Sequence, residues 1–382
     1  MRVLNVNHTL DPVNGGGTAE RTLQMSRFLV RSGIECTVLT TEEGFDSGSG
    51  ARLAGAHVVA VPLLSRRFFV PRVAPRLMGE LVAAADIVHL MGHWSPLNAL
   101  VYRAARHLRK PYVVCPAGAL RIYGRSRLLK RLYNLAVGTG IVRDASMCIA
   151  ITSDEIGQFA QYGVGRDRIR IIPNGIDPAA FARADPAAFR ASFGLGAHPF
   201  VLFVGRLNPI KGPDLLLEAF CSVKSALADF HMVFAGPDGG MLEALRETAR
   251  VEGVADRVHF IGYIGGTDKT SAYHAASLLA IPSRQEAMSI VALEAGITET
   301  PVLLTNRCGF DVIDGGGGKV VPATAEGIAA GLAALLGTPA TLPAMGRALG
   351  EFTRGHYLWE SVVRDYIALY CELIEGGPLC VS

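Results

Sequence analysis

Phe200-Val-Leu-Phe-Val-Gly-Arg206, and some seventy residues later Leu278-Leu-Ala-Ile-Pro282-Ser-Arg-Gln-Glu286-Ala-Met-Ser-Ile-Val-Ala-Leu-Glu294, decide how this chain folds. Each begins with a short apolar run bounded by Gly or Pro, the mark of a strand buried on both faces of a parallel sheet. Arg206 and Lys211 follow the first run, with Lys211-Gly212-Pro213 opening the next helix. Glu286 and Glu294, seven residues apart, follow the second. Ligands of open α/β sheets bind at the carboxyl ends of strands, so these four charges are expected at a site. Cations suit phosphoryl oxygens, Arg by a bidentate fork and Lys as a point charge. Carboxylates accept paired hydroxyls, and a nucleotide sugar offers both phosphates and hydroxyls. An Arg and a Lys five apart are more often plain surface; with the carboxylates in register the functional reading wins.

At 382 residues the chain exceeds one comfortable core, so two domains are expected. Half the residues are hydrophobic and 43 are Gly, which suits an α/β protein with many tight strand-to-helix turns. A net charge of +3 is too small to imply a nucleic-acid partner. The seven cysteines (36, 115, 148, 221, 308, 371, 380) are scattered without C-x-x-C, which suggests reduced, buried thiols and a cytoplasmic protein. Met1–Asn7 is apolar but short, and reads as a first strand rather than a signal peptide. No uncharged apolar run reaches the ~18 residues of a membrane span.

The first half alternates strands (Val3–Asn7, Cys36–Thr40, Val58–Val61, Ile87–Met91, Tyr112–Cys115, Cys148–Thr152) with amphipathic stretches such as Ala19–Ser32 and Leu97–Leu108. That is the grammar of a doubly wound parallel sheet. The second half repeats it from Phe200–Gly205 through Met232–Ala235, Val258–Ile261, Leu278–Pro282, Val302–Thr305 and Lys319–Val321. His356–Glu375 reads as one amphipathic helix, with Trp359, Val362, Val363, Tyr366 and Leu369 at helical spacing.

The Arg206/Lys211 pair and the E-x7-E spacing resemble those of the retaining glycosyltransferases of family 4, which have the GT-B fold. The resemblance covers nearly the whole chain and is strongest over residues 200–322. It implies two Rossmann-like domains facing a cleft, 1–178 on the acceptor side and 179–355 for the nucleotide sugar, with residues 356–382 crossing back onto the first. It implies transfer of a hexose-type sugar, with retention, from a nucleoside diphosphate donor of UDP or GDP type to an acceptor hydroxyl, in polysaccharide or glycoconjugate biosynthesis. Arg206, Lys211 and Glu286 would be catalytic. Gly16, Gly17, Gly236, Tyr263, Ile264, Met288, Ser289, Ile290, Val291 and Glu294 would bind donor. The helix is expected to begin near Ala287 or Met288 and to aim the amides of residues 288–291 at the diphosphate; the alternative is that Glu286 only caps the dipole.

Other motifs carry less. Gly15-Gly-Gly17 follows the first strand, but a dinucleotide fingerprint fails because Glu20 stands where its third glycine belongs. In the family the loop approaches donor phosphate and acceptor, which makes Glu20 an acceptor-side candidate. Asn174-Gly-Ile-Asp177 resembles the family's interdomain joint, which makes Asn174 an acceptor-side candidate; a turn held by Asx bonds is the equal alternative to substrate contact. Gly236-Pro-Asp-Gly239 resembles the loop under the nucleotide. Two residues depart from the pattern: Ser289 and Glu299 stand where the family has Gly. A third departure is Ala117, within Cys115-Pro-Ala-Gly-Ala-Leu120, where the family often has His. An Ala can neither donate a hydrogen bond nor move a proton, so His93 or Arg121 are the candidates to substitute, against a merely packed His93.

Arg121–Arg143 sets Arg121, Arg125, Arg127, Lys130, Arg131 and Arg143 among leucines, either a solvated face or a surface for an anionic membrane and a lipid-linked saccharide acceptor. No Asp-x-Asp or His/Cys spacing suggests a metal, and no cofactor beyond the donor substrate is expected. A GT-B-like sugar-nucleotide epimerase and a non-catalytic sugar-nucleotide-binding protein remain as rivals; a dinucleotide oxidoreductase is disfavoured by the failed fingerprint.

Overall fold

The computed structural model describes residues 1–11, 15–45, 50, 53, 55–122 and 126–375. Arg125 and Cys380 lie outside them. The chain forms two compact units, one of Met1–Gly175 with the C-terminal segment from Trp359, the other of Ile176–Leu358.

In the first unit the strands are β1 (Arg2–Val6), β2 (Glu35–Thr41), β3 (His57–Val61), the short antiparallel pair β4 (Leu63–Ser65) and β5 (Val70–Pro71), β6 (Ile87–Met91), β7 (Tyr112–Cys115), β8 (Met147–Ala150) and β9 (Ile169–Ile171). Seven of them form a sheet in the order β3-β2-β1-β6-β7-β8-β9. Its paired strands are parallel, for example Val3 opposite Cys36 on one side and Ile87 on the other. Leu4, Val6, Val88, Leu90 and Val114 point into a core closed by Leu97, Val101 and Ile141 from the covering helices. The β4–β5 hairpin was not legible in the sequence: two- and three-residue strands carry no period.

The second unit contains β10 (Phe200–Val204), β11 (His231–Ala235), β12 (Val258–Gly262), β13 (Leu278–Ile281), β14 (Val302–Thr305) and β15 (Gly318–Val321). They form one sheet in the order β12-β11-β10-β13-β14-β15, again with parallel pairing. Both sheets reverse strand order once, at β1/β6 and at β10/β13, the arrangement of a doubly wound Rossmann-like fold.

The C-terminal helix expected over His356–Glu375 is present with a later start. Leu342–His356 ends in the second unit, the backbone turns at Tyr357 (φ −128°, ψ 18°), and Trp359–Glu375 belongs to the first. The last helix therefore starts at Trp359 rather than His356. It packs on the helix Gly16–Arg31, with Trp359 stacked on Phe28 at 6.1 Å. The guanidinium of Arg21 is buried there, donating to Asn174 Oδ1, to the Ile172 carbonyl at 3.0 Å and to the Tyr366 hydroxyl. The six described cysteines are all buried free thiols.

His89, on β6, is fully buried with Nδ1 2.6 Å from the Tyr370 hydroxyl. Burial, and then the charge of Arg21, push its pKa down to about 3. An unfolded histidine titrates near ~6.5, so His89 stabilises the fold fully above that pH and progressively less as pH falls toward 3. Between pH 6.5 and 4.5, His89→Gln should flatten the fall in urea-unfolding free energy by about 1.4 kcal/mol per pH unit. Equal slopes would show that His89 takes up its proton within the fold.

Candidate functional site

The loops leaving β10 and β13 separate where the strand order of the second sheet reverses, and three of the four predicted charges, Arg206, Lys211 and Glu286, lie on these loops. Gly205 and Arg206 follow β10 directly. The Gly205 amide donates to the Ala235 carbonyl at 2.9 Å, and the Gly236 amide donates to the Gly262 carbonyl at 2.7 Å. A Cβ on Gly236 would stand 1.9 Å from the Gly205 carbonyl oxygen, so only glycine lets these loops close over each other. Gly239 leaves room in the same way for Asn208 Cβ and the Leu207 carbonyl oxygen, each 2.8 Å from an added Cβ, and for Arg206 Cγ at 3.0 Å. Asp238 accepts from the amides of Gly240, Met241 and Leu242, which caps the helix Leu242–Val251 and holds the carboxyl below its usual range. Tyr263, after β12, is half exposed, and Ile264 beside it is buried.

Lys211 reaches across to β13's loop. Gly212 has φ +68°, and a Cβ there would lie 2.2 Å from the Pro282 carbonyl oxygen, so the Lys211 turn sits directly on the end of β13. Lys211 Nζ meets Glu286 Oε1 at 2.8 Å, with the carboxylate side chain 9% exposed and the lysine 34%. Ser283 Oγ donates to the same oxygen, and the Glu286 amide donates to the Arg307 carbonyl at 2.8 Å. A latch that sequence reasoning missed fixes both loops. Arg284 donates to both oxygens of Asp214, at 2.8 and 2.6 Å, and to the Pro209 carbonyl at 2.8 Å, while its own amide donates to Ile210. The bidentate fork is the geometry Arg and a carboxylate prefer, but nothing in the spacing of Asp214 and Arg284 announces it.

The helix after Glu286 begins at Ile290, not at residue 287 or 288. The segment before it is held by the neighbouring strand's loop, and the Ser289 amide donates to the Cys308 carbonyl at 3.0 Å. That amide is therefore not a free donor, and Met288 is a buried residue ahead of the helix. Ile290 and Val291 occupy the first turn, where amides lack an intrahelical acceptor. Ser289 Oγ is fully buried and has no hydrogen-bond partner.

Glu294 has a different environment from Glu286. It is 5% exposed, with Oε1 2.8 Å from Lys269 Nζ and Oε2 accepting from Tyr273 OH at 2.6 Å. Burial, and then the Glu294 charge, raise the Tyr273 hydroxyl far above its ordinary pKa. Lys269 and Tyr273 lie on the helix Gly266–Ala275, a partnership that a pattern of local spacing could not reveal. Glu299, at φ +57° where the family has Gly, is tied by Arg354 at 2.9 Å.

In the first unit, Gly16 and Gly17 are exposed at the start of their helix, and Glu20 accepts from Gln24 at 2.8 Å. Arg121 is exposed. Asn174 is buried under Arg21, and Asp177 caps the turn at Pro178–Phe181. His93 is buried among Trp94, Tyr133 and Tyr162, with Nε2 2.9 Å from Asn134 Oδ1 and Nδ1 without a partner. Burial pushes its pKa down to about 4, which leaves a neutral ring. Ala117 takes φ +52°, in a loop pinned by Glu155 to the Gly118 amide at 2.6 Å and by Trp94 to the Ala119 carbonyl at 2.6 Å. Among the described residues no group of three His, Cys, Asp or Glu side chains is set to hold a metal.

The Tyr273–Glu294 bond is testable apart from any reaction. Tyr273→Phe leaves a buried carboxylate oxygen without its donor, which should lower urea-unfolding stability by about 1–3 kcal/mol. A change under about 0.5 kcal/mol would show that Lys269 alone holds Glu294.

Two family signatures match the chain: Glycosyltransferase Family 4 over residues 15–180 and Glycosyl transferases group 1 over residues 187–350. A D-inositol 3-phosphate glycosyltransferase of Segniliparus rotundus is 35% identical over 64% of this chain and 56% of its own length. One of Actinosynnema mirum is 27% identical over 94% of this chain and 92% of its own. The chain thus spans about half the length of the first of these, as it does of those from Nocardia farcinica (48%) and Kribbella flavida (58%). In structure, Anabaena HepE in complex with UDP-glucose superposes with a TM-score of 0.79 at 17% identity, covering 98% of this chain and 100% of that one. Sucrose-phosphate synthase from Thermosynechococcus elongatus gives 0.76 at 20%, covering 99% and 100%. With these two signatures spanning both Rossmann-like units, the chain belongs to the group 1, family 4 glycosyltransferases of the GT-B fold.

Proposed function

We propose that this protein transfers a hexose-type sugar from a nucleoside diphosphate sugar to an acceptor hydroxyl with retention of configuration. The observation that carries the proposal is the Lys211–Glu286 pair on the strand-end loops at the reversal of strand order, with Arg206 on the loop beside it. Bond cleavage sends the electron pair of the anomeric C–O bond to the diphosphate. Arg206, Lys211 and the first-turn amides at Ile290 and Val291 neutralise the charge that grows there. Glu286 holds sugar hydroxyls, and its contact with Lys211 fixes where they stand. In the front-face route implied by the family, the acceptor oxygen bonds to the same face of the anomeric carbon and its proton passes to the departing phosphate oxygen. That route needs no protein base, which accommodates Ala117 and a neutral, enclosed His93.

In this reading the half-exposed Tyr263 and the main chain at Ile264 take the base, of a UDP or GDP type. The acceptor is a saccharide, free or lipid-linked; the names of the curated relatives add D-inositol 3-phosphate as a compound to assay.

Arg206→Ala and Lys211→Ala should each lower turnover by about 10²–10³, a much larger effect than either has on the stability of the fold. Wild-type turnover in both would remove the phosphate assignment. Glu286→Ala should abolish transfer. Donor hydrolysis or epimerisation by the wild type without transfer to any acceptor would favour the epimerase, and binding without turnover the non-catalytic sugar-nucleotide-binding protein.

Since charged side chains replace a metal in this scheme, activity should persist in EDTA. Complete loss restored by magnesium or manganese would overturn it.

A further inference from the structure

The helices Pro213–Ser222 and Leu242–Val251 pack against each other over the core of the second unit, and a cavity of about 420 Å³ opens between them. Its inner wall is apolar, with Leu217, Leu245 and Cys221 all buried. The charged side chains that line it are Asp214, Glu218 and Glu252; among the described residues no Arg, Lys or His does. Asp214 and Glu218 stand at i and i+4 on one helix, a like-charge spacing that works against helix formation. Arg284 compensates Asp214 with two hydrogen bonds, and Lys224 reaches Glu252 at 3.3 Å. Glu218 is exposed and has no ion-pair partner among the described residues. The cavity is thus apolar inside and carries an uncompensated negative charge at its mouth.

That combination selects the ligand. The volume falls in the range of small-molecule sites, roughly 300–1,000 Å³. An anion would meet three carboxylates, and a neutral apolar compound would leave Glu218 uncompensated. A metal ion would gain nothing from the apolar wall, and no group of side chains among the described residues is set to hold one. An organic ammonium ion places its apolar body on Leu217 and Leu245 and its charge at Glu218.

Asp214 connects the cavity to the loops at the strand ends. Its carboxylate lines the cavity and also holds Arg284 in the fork that ties the loops of Lys211 and Glu286. An ammonium ion at Glu218, one helical turn away, attracts Asp214 as well and competes with Arg284 for it. We propose that the cavity is a binding site for small organic ammonium ions, and that its occupancy loosens the fork and the two loops. The site stands without sugar transfer; that its occupancy lowers turnover rests on that reading.

The test titrates the full chain near neutral pH with 4-phenylbutylammonium, and with 4-phenylbutyrate as the anionic counterpart, by isothermal calorimetry. The ammonium should bind with a Kd of about 1 mM or tighter, and the carboxylate at least about tenfold more weakly. Glu218→Gln should weaken ammonium binding by about twofold to fivefold. Ala244→Trp, which fills the cavity from its exposed wall, should weaken it by at least about tenfold. Amide hydrogen exchange over residues 283–290 should quicken by at least about threefold at saturation in the wild type and stay unchanged in Ala244→Trp. No binding of the ammonium, or binding untouched by Ala244→Trp, overturns the site. Equal affinity for the carboxylate, or binding untouched by Glu218→Gln, overturns its preference for cations. Binding without faster exchange overturns the link to the fork. These readouts do not depend on turnover, so failure of the sugar-transfer reading leaves them intact; where transfer is measured, undiminished turnover at saturating ammonium overturns the regulatory role alone.

Discussion

The second unit depends on the single reversal of strand order between β10 and β13. In a parallel sheet buried on both faces, successive crossovers pack helices onto one side until the order reverses; there two adjacent loops leave in opposite directions and open a gap at the carboxyl edge. The chain places Arg206 and Lys211 on one of those loops and Glu286 on the other. Their proximity is imposed by β10 pairing with β13, with Leu202 opposite Leu279. The Arg284–Asp214 fork then converts proximity into fixed geometry, because it ties together the two loops that carry Lys211 and Glu286.

The two carboxylates of the E-x7-E pattern are chemically unequal. Glu286 is paired with a lysine that is itself a third exposed. Glu294 has both oxygens engaged by Lys269 and Tyr273 in a nearly closed site. Removing one partner of a buried pair leaves an uncompensated charge, which typically costs about 3–5 kcal/mol. Glu294 therefore also has a structural role that the motif does not show, tying the helix Ile290–Ile297 to Gly266–Ala275.

The first unit places polar groups in its interior for packing. Arg21 spends its buried guanidinium on Asn174, Ile172 and Tyr366, joining three segments far apart in sequence. Asn174 and His93 both have the residue type and strand-end position of ligand-binding groups, and both have protein partners: Arg21 for one, Asn134 and an aromatic enclosure for the other. Ala117 and Glu299 share a second feature, positive φ without glycine. For Glu299 the Arg354 contact offsets part of the roughly 1–2 kcal/mol that such a conformation costs.

The sequence alone determined the class of fold and the site's charges, because apolar runs of strand length ending in Gly or Pro, repeated between amphipathic segments, have few other ways to bury themselves. It also located most strands to within a residue or two: Ile87–Met91, Tyr112–Cys115 and Val302–Thr305 coincide with β6, β7 and β14. Tertiary structure decided what depends on partners distant in the chain. The helix start moved to Ile290 because Cys308 takes the Ser289 amide, and the last helix began at Trp359 because the chain turns at Tyr357 between units. The Arg284–Asp214 fork, the Lys269–Glu294–Tyr273 cluster and the cavity beside Asp214 were hidden for the same reason. Local pattern fixes which residues share a face, while only packing fixes what that face meets.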